Sequence, residues 1–266
     1  MMEVLSERSA RVVSYAKLHR AAVRRAEGRF LVEGPNSVSA ALDAGRAQRV
    51  LVREGDVQRH TTILDDAQAA GIVVEVLSDR AVHKLSESMT APGLFAVCEL
   101  LDRPLDSVLD VGPSLLAVAV EARDPGNVGT LLRCADAMGA DAMVLLGDSV
   151  DPHNGKCVRS SAGSIFHLPV TRERSVADGL DAIRAAGVTT LATAADGELS
   201  LDDADDVLVG PHAWLFGNEA HGLDRDIQRD ADHRVSIPIA GRAESLNIAA
   251  AAAICLYASA RRHRSR

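Results

Sequence analysis

Residues 214–223 read Trp214-Leu215-Phe216-Gly217-Asn218-Glu219-Ala220-His221-Gly222-Leu223. Three large apolar residues, typical of a buried strand, end abruptly at a turn that contains glycine and two polar side chains. Glycine at such a turn allows a ligand to approach the main chain closely. Because a structural turn requires neither asparagine nor glutamate, the joint presence of Asn218 and Glu219 indicates a binding or catalytic site.

Two further blocks in the C-terminal half have the same organisation of strand, polar turn and helix start. Residues 124–133 read Asp-Pro-Gly-Asn-Val-Gly-Thr-Leu-Leu-Arg, and residues 237–249 read Ile-Pro-Ile-Ala-Gly-Arg-Ala-Glu-Ser-Leu-Asn-Ile-Ala. In open α/β sheets, ligands bind at the carboxyl ends of the strands. We therefore expect the three blocks to form one site, rich in hydrogen-bonding groups and without a metal-type cluster, that contains Asn127, Arg133, Asn218, Glu219, Ser245 and Asn247.

Helix capping is the competing explanation for part of this set. Asn127 is placed to begin one helix and Ser245 to cap another, and a capping side chain needs no catalytic role. His221 is a candidate base because histidine ionises near neutral pH, although a loop histidine has many structural uses.

Length and composition indicate an intracellular protein of two domains. The chain has 266 residues, of which 47% are hydrophobic, enough for two packed cores. Its four cysteines form no Cys-x-x-Cys pair, so reduced thiols are expected rather than a zinc site or a disulfide framework. The charged N-terminus does not resemble a secretory signal. No apolar run is long enough to cross a bilayer, and we expect a cytoplasmic location.

Alternating strand and helix patterns predict a small α/β domain in residues 1–104, a linker in 105–113 and a second α/β domain in 114–266. The first domain is predicted to begin with a helix over 9–26 and a strand over 30–33. In the second domain, strands are predicted at 115–121, 142–146, 166–170, 189–194, 213–216 and 234–239, and helices near 127–138, 155–162, 175–186, 222–230 and 245–260.

The charge distribution suggests a nucleic-acid partner, although the net charge is −8. Residues 1–29 contain seven Lys/Arg against three Glu, and the tail over 261–266 adds four Arg. Such residues supply the sequence-independent part of nucleic-acid affinity, although charged runs often serve only as solvated surface. The candidate RNA contacts are Arg24, Arg25 and Arg29, together with Lys156, Arg159 and Ser160, for which an exposed, capped helix is an equally good explanation.

The three blocks, in this order and at these intervals, resemble the SpoU (TrmH-like) family of SPOUT RNA 2′-O-ribose methyltransferases, in the ribosomal-RNA-modifying, TsnR-like branch. Residues 28–34, Gly-Arg-Phe-Leu-Val-Glu-Gly, are similar to the RNA substrate-binding domain of those members, which resembles ribosomal protein L30e. The resemblance implies an α/β SPOUT catalytic domain with a deep trefoil knot, a rare feature of proteins, and a homodimer. It also implies transfer of a methyl group from S-adenosylmethionine to a ribose hydroxyl.

The resemblance further implies the role of each site residue. The implied catalytic residues are Asn127, Arg133, Glu219, Ser245 and Asn247. The implied cofactor-binding residues are Thr193, Ala194, Ala195, Phe216, Gly217, Asn218, Gly222, Ile237, Ile239, Ser245, Leu246 and Asn247. Arg133 is expected to act on the attacking hydroxyl. Because a guanidinium group keeps its proton at neutral pH, we hypothesise that it grips the adjacent phosphate and stabilises the developing alkoxide instead of acting as a literal base.

Two alternatives to methylation of 23S ribosomal RNA stay open at this point. The first keeps the chemistry and changes the substrate to transfer RNA. The second is a non-catalytic RNA-binding protein on the same scaffold, which the full set of five polar residues disfavours. A nucleotide-dependent dehydrogenase is disfavoured because no Gly-x-Gly-x-x-Gly sequence follows a predicted strand. No metal is expected.

Overall fold

The computed structural model describes residues 3–264, and its chain divides into two compact units. The first unit contains the residues up to 101 together with 151–167, and the second contains 102–150 together with the residues from 168 onward. Residues 151–167, which sequence patterns assign to the second domain, instead pack in the first unit. The reason is aromatic packing, since the Phe30 ring lies 4.7 Å from that of His153 and 6.0 Å from that of Phe166.

The first unit is built on a five-stranded sheet in the order β1-β4-β3-β5-β2. Strands β1, β4 and β3 run parallel, and β5 is antiparallel to both β3 and β2. The strands are β1 (Val4–Leu5), β2 (Arg29–Glu33), β3 (Ala47–Arg53), β4 (Val73–Leu77) and β5 (Leu94–Glu99). The helices are α1 (Ala10–Lys17), α2 (Ala21–Glu27), α3 (Pro35–Asp43), α4 (Thr61–Ala69), α5 (Asp79–Leu85) and α8 (Gly155–Ser161).

The single helix predicted over 9–26 is two helices, α1 and α2. Leu18, which is only 1% exposed, lies in the break between them. The Arg24 guanidinium donates hydrogen bonds to the carbonyls of Leu18 and His19, both at 2.9 Å. The break is therefore stabilised by a long-range side-chain contact that local helix periodicity does not reveal.

The second unit is built on eight parallel strands in the order β11-β13-β10-β12-β7-β8-β9-β6. The strands are β6 (Asp102–Arg103), β7 (Leu115–Val120), β8 (Ala142–Leu146), β9 (Val170–Glu173), β10 (Thr189–Thr193), β11 (Leu199–Ser200), β12 (His212–Phe216) and β13 (His233–Ser236). The helices are α6 (Leu105–Leu109), α7 (Pro125–Ala137), α9 (Val176–Ala185), α10 (Arg225–Asp230) and α11 (Ile248–Arg264). No helix within residues 3–264 combines the length and apolarity that a membrane crossing requires.

Three predicted elements of this unit need correction. Residues 105–109, expected in a linker, form α6, because Leu105, Val108 and Leu109 lie on one helical face and join the core of the unit. The strand predicted over 166–170 begins only at Val170, after a 3-10 turn over Ser164–Phe166. The last helix begins at Ile248 rather than at 245.

Buried strands bring the three sequence blocks to one edge of this sheet. All residues of β7 and β12 are buried, as expected for parallel strands covered on both faces. Strands β13, β10, β12 and β7 are neighbours and run parallel, so their carboxyl ends lie side by side. The blocks at 121–133, 215–223 and 237–249 follow three of these ends, and residues 193–196 follow the fourth.

Candidate active site

A chain of hydrogen bonds joins the three blocks. Glu219, after β12, accepts hydrogen bonds from the main-chain N–H groups of Arg123 (3.3 Å) and Asp124 (3.2 Å), and from the side-chain amide of Asn127 (3.3 Å). Asn127 in turn accepts a hydrogen bond from the side-chain amide of Asn247 at 3.0 Å. The structure thus brings Asn127, Glu219 and Asn247 together, as the sequence predicts.

Helix capping at the first block is performed by Asp124 and not by Asn127. The Asp124 carboxylate accepts a hydrogen bond from the Asn127 main-chain N–H at 2.9 Å, and Pro125 occupies the first turn, where its missing N–H is tolerated. The Asn127 side chain is therefore used for contacts with Glu219 and Asn247, and capping does not explain its presence.

Capping at the third block is performed by Asn247, so the prediction that Ser245 caps this helix is wrong. The Asn247 side-chain oxygen accepts a hydrogen bond from the Ala249 N–H at 2.9 Å, and its carbonyl accepts from Ala251 at 2.9 Å. Ser245 lies two residues before this cap and is exposed. Asn247 consequently orients the start of α11 and Asn127 at the same time.

A cavity of about 500 Å³ lies beside this hydrogen-bonded set, a volume typical of small-molecule sites. All twelve residues that the sequence assigns to cofactor binding line its walls, from Thr193 after β10 to Asn247 before α11. Glu219, His221 and Glu244 are also on the walls. The cavity is thus formed by the carboxyl ends of β10, β12 and β13 and by the segment that leads into α11.

Glycine at position 217 is required by the close approach of two main-chain segments. A Cβ atom there would lie 2.1 Å from the Leu223 nitrogen and 2.2 Å from the Gly222 carbonyl carbon. The turn is closed by paired main-chain hydrogen bonds between Asn218 and Gly222, at 3.0 and 2.8 Å. The glycine thus allows the two main-chain segments of the turn, both of which contribute residues to the cavity wall, to lie against each other.

The described part of the cavity wall carries acidic groups and no lysine or arginine. Its carboxylates are Asp196, Glu219 and Glu244. A hydrogen bond and an ion pair with Arg234 lower the pKa of Asp196, so this carboxylate is ionised at neutral pH. Glu219 and Glu244, unlike Asp196, are paired with no lysine or arginine among the described residues, so these two carboxylates favour a cationic ligand over a polyanion such as a dinucleotide.

Arg133 and His221 are proposed site residues that lie outside the hydrogen-bonded set. Arg133 is exposed on α7, six residues after Asn127, and forms no hydrogen bond or ion pair with the residues that the structure describes. His221 is exposed on the cavity wall and likewise contacts no polar partner in residues 3–264. Neither is held by the fold, which suits a group that meets a substrate from solvent.

The candidate RNA contacts all lie in the first unit. One of them is buried, some are bound to other residues of the unit, and two are exposed at the surface. Arg24 is only 3% exposed and is bound to Asp151 at 2.6 Å, so the structure does not support its role as an RNA contact. Arg29 pairs with Glu27, and Arg159 pairs with Glu33 at 3.2 Å. Ser160 donates a hydrogen bond to the main chain of its own helix at 2.8 Å. Arg25 and Lys156 are exposed, whereas Arg266 of the basic tail lies outside the described residues.

Several cavity residues were not predicted from sequence. Asp196 follows the predicted loop directly, and its position next to Thr193–Ala195 was an available signal. Gln228 lies on α10 and reaches the cavity region while donating to the Leu223 carbonyl at 2.8 Å. No local pattern marks it, because its placement depends on how α10 packs. Ala220, Leu223, Val235, Ile248 and Ala251 complete the wall.

Residues 3–264 contain neither a cluster of metal-type ligands nor a disulfide. Residues 3–264 contain no group of three or more His, Cys, Asp or Glu placed to hold a metal ion. The four cysteines form no disulfide. Burial raises the pKa values of Cys98 and Cys255, which keeps these thiols protonated and unreactive.

This geometry, with three polar loops at the carboxyl ends of a parallel sheet, agrees with the relatives of the chain. Residues 114–257 match the SpoU rRNA Methylase family, and residues 31–104 match the family described as RNA 2'-O ribose methyltransferase substrate binding. The chain therefore belongs to the SpoU rRNA methylase family.

Individual relatives cover nearly the whole chain. The 23S rRNA (guanosine(2553)-2'-O)-methyltransferase RlmP of Bacillus subtilis is 35% identical over 97% of this chain and 98% of its own length. An AdoMet-bound rRNA methyltransferase from Sinorhizobium meliloti has a TM-score of 0.84 at 30% identity and covers 98% of both chains. The SpoU methyltransferase AviRb from Streptomyces viridochromogenes, in complex with AdoMet, has a TM-score of 0.83 at 32% identity, over 97% of this chain and 99% of that chain.

Proposed function

We propose that this protein transfers the methyl group of S-adenosylmethionine to the 2′-hydroxyl of a ribose in 23S ribosomal RNA. The observation that carries the proposal is the hydrogen-bonded set of Asn127, Glu219 and Asn247 beside a cavity of about 500 Å³. The named activities of the relatives support the ribosomal substrate, and the AdoMet-bound structures support the donor.

The cavity fits S-adenosylmethionine in size and in chemistry. The donor carries a sulfonium and an ammonium group, and the described wall carries the carboxylates Asp196, Glu219 and Glu244, of which Asp196 is paired with Arg234. The apolar side chains Phe216, Ile237 and Leu246 suit the adenine ring. Apart from Asn218, whose side chain is bound to the Glu121 carbonyl and the Ala220 N–H, the predicted cofactor-binding residues are retained as the proposed contacts, with Asp196 and Gln228 added.

The residues of the chain orient the acceptor. When bound, S-adenosylmethionine supplies a methyl group on an electrophilic sulfonium. Arg133 is proposed to hold the phosphate next to the ribose and to stabilise the oxygen as its proton leaves. Asn127 and Asn247 align the hydroxyl, and Glu219 and Ser245 complete the site. Alignment alone removes about 7–11 kcal/mol of barrier in favourable intramolecular reactions, so a strong base is not required.

The first unit is proposed to bind the RNA. The family matches over 31–104 and 114–257 support a substrate-binding domain followed by a catalytic domain. The predicted bounds of 1–104 and 114–266 are changed by the helix over Leu105–Leu109 and by residues 151–167, which pack in the first unit. Arg25 and Lys156 are the exposed candidates for phosphate contacts. Arg29 and Arg159 remain candidates only if RNA displaces their carboxylate partners. The trefoil knot implied by the family resemblance stays a prediction.

A homodimer is proposed from the exposed apolar face of α11. Ile254 is 40% exposed and Tyr257 52% exposed on this helix, and Leu246, just before it, is 37% exposed. A second copy of the chain that covers this face would remove these side chains from water. A ribosomal RNA substrate also supports the proposal of a cytoplasmic location.

The test is incubation of the purified protein with radiolabelled S-adenosylmethionine and separate pools of 23S, 16S and transfer RNA. We expect label in 23S RNA, recovered as one alkali-resistant dinucleotide, because a 2′-O-methyl group blocks cleavage of the adjoining phosphodiester.

Each other outcome contradicts a specific part of the proposal. Label in a base contradicts the reaction type, and label in transfer RNA alone contradicts the substrate. RNA binding without any label, with S-adenosylmethionine bound or not, supports the non-catalytic RNA-binding alternative. Asn127→Ala serves as the matched inactive variant, since it removes the side chain that links Glu219 to Asn247.

A further inference from the structure

The residue at the end of β7 has an unusual main-chain conformation. Glu121 has φ 51°, in the left-handed region, and Ala162 is the only other described non-glycine residue with a positive φ. For a residue with a side chain, this conformation is disfavoured by about 1–2 kcal/mol and persists only where surrounding contacts enforce it. Glu121 immediately precedes the segment that leads to Asp124 and Asn127.

Every main-chain polar group of Glu121 and Ala122 is held by a partner from another part of the second unit. Glu121 N–H donates to the Leu146 carbonyl at 3.0 Å, and Val150 N–H donates to the Ala122 carbonyl at 2.9 Å. The remaining two groups are held by side chains. The Asn218 amide donates to the Glu121 carbonyl at 2.7 Å, and the Ser149 hydroxyl oxygen accepts from the Ala122 N–H at 3.1 Å.

The two side chains are themselves fixed and buried. Asn218 is 9% exposed, and its side-chain oxygen accepts a hydrogen bond from Ala220 N–H at 2.9 Å. Ser149 is 8% exposed and donates to the Leu146 carbonyl at 2.8 Å. Asn218 approaches Glu121 from the loop after β12, and Ser149 approaches Ala122 from the loop after β8. Together they hold the carbonyl and the N–H of the single peptide group between Glu121 and Ala122, on the carboxyl side of the left-handed residue.

The conformation at Glu121 determines where the next residues point. Arg123 and Asp124 direct their N–H groups to Glu219, and Asp124 caps the helix that carries Asn127 and Arg133. A rotation at Glu121 would therefore displace the Glu219 contacts and the first turn of α7 together.

We propose that Asn218 and Ser149 are positioning residues, which act through the main chain of Glu121 and Ala122 to place Asn127 and Arg133 for methyl transfer. The proposal rests on the proposed function. It also revises the expectation for Asn218, since its amide oxygen and one amide N–H bind the protein itself. Ser149 does not belong to the described cavity wall. Substitution of Ser149 therefore tests positioning without removing a contact to S-adenosylmethionine.

The test compares Ser149→Ala and Asn218→Ala with Ser259→Ala in the full-length protein. Ser259 is a fully buried, hydrogen-bonded serine of the same unit, bound to His212 and Trp214, and it controls for general damage to the core. We expect kcat to fall about 10²-fold in both test variants, as for a displacement of about 1 Å. The Kd for S-adenosylmethionine, measured without RNA, is expected to change less than threefold, and Ser259→Ala is expected to keep the wild-type kcat.

A second test removes the backbone strain at residue 121 by the substitution Glu121→Gly. In a Glu121→Gly background the left-handed conformation needs no enforcement, so the loss of kcat caused by Ser149→Ala is expected to shrink at least fivefold. Hydrogen exchange of the amides of residues 122–124 is expected to be faster in both test variants and unchanged in Ser259→Ala.

The outcomes separate this proposal from the proposed function. Wild-type kcat with unchanged exchange in Ser149→Ala and Asn218→Ala overturns the positioning role. If Asn218→Ala loses affinity for S-adenosylmethionine while Ser149→Ala keeps the wild-type kcat, Asn218 is a contact of S-adenosylmethionine. That outcome also overturns the positioning role. If the wild type methylates no ribose, the proposed function fails, and the exchange rates then decide alone whether the two side chains hold the loop.

Discussion

Asn127 shows how one residue is freed for the site by its neighbour. Because Asp124 caps the helix, the Asn127 side chain binds both Glu219 and Asn247. The same division occurs in Asn247, where the oxygen caps α11 and the amide N–H group meets Asn127. These contacts tie the acceptor side of the proposed site to two helix starts, which are rigid parts of the second unit.

Arg133 is the residue whose chemistry is most directly testable. We predict that Arg133→Lys lowers kcat about 10²-fold, because lysine lacks the planar fork of donors that grips a phosphate at two points. The measurement is steady-state methylation of 23S RNA, with S-adenosylmethionine affinity measured in parallel and expected to be unchanged. Arg229→Lys, a surface arginine of α10 paired with Asp226, is the control. Full turnover of the Arg133→Lys protein would refute the bidentate role.

At the scale of elements, the turn after β12 depends on the absence of a side chain at residue 217. We predict that Gly217→Ala lowers affinity for S-adenosylmethionine at least tenfold and lowers Tm, because a Cβ atom would lie 2.1 Å from the Leu223 nitrogen. Overpacking of this kind destabilises by about 1–3 kcal/mol. Calorimetric titration and thermal unfolding measure the two effects. Gly210→Ala is the matched control, since nothing lies within 4 Å of its added Cβ. Equal behaviour of the two variants would contradict the prediction.

Strand β12 and helix α11 are joined by a buried histidine. His212 is fully buried and lies 2.7 Å from the Ser259 hydroxyl, which also accepts from Trp214. Burial lowers the pKa of His212, and proximity to His263 lowers it further, against the opposing effect of the Gly210 carbonyl. The folded state thus holds His212 neutral, whereas the unfolded chain protonates it near its ordinary pKa of about 6.5.

This difference predicts a pH dependence of stability. Because the folded pKa is the lower one, the contribution is complete above about pH 6.5 and is lost as the pH falls below that value toward the folded pKa. We expect the free energy of unfolding to decrease from pH 7 to pH 5, and to decrease less steeply in His212→Gln. Denaturant unfolding at each pH measures this free energy. His83→Gln, at an exposed histidine of α5, is the control. An identical slope in wild type and His212→Gln would exclude this account.

At the scale of the whole molecule, the proposed homodimer depends on the exposed face of α11. We predict that Ile254→Asp yields a monomer, because a carboxylate buried at an apolar interface loses its hydration without a partner. Sedimentation velocity measures the mass. Val73→Asp, at an exposed aliphatic residue of β4, is the control and is expected to keep the wild-type mass. A wild-type protein that sediments as a monomer would remove the basis of the proposal.

Much of the second unit was predictable because its elements are locally encoded. Buried parallel strands are continuous apolar runs, so β7, β8, β10 and β12 were predicted to within one residue of their bounds. The turn residues after them are polar and contain glycine, which marks the site before any contact is known. The proximity of Asn127, Glu219 and Asn247 was predictable for the same reason, since each residue follows such a strand or begins the helix after it.

The sequence by itself determined the α/β class, the site-bearing loops and the family resemblance, because these depend on residue types over short intervals. Only the tertiary structure decided which parts of the chain meet. It placed residues 151–167 in the first unit, buried Arg24 against Asp151, moved the cap from Ser245 to Asn247 and held Glu121 in a left-handed conformation. Each of these depends on contacts between residues far apart in the chain, and no local periodicity or propensity contains that information.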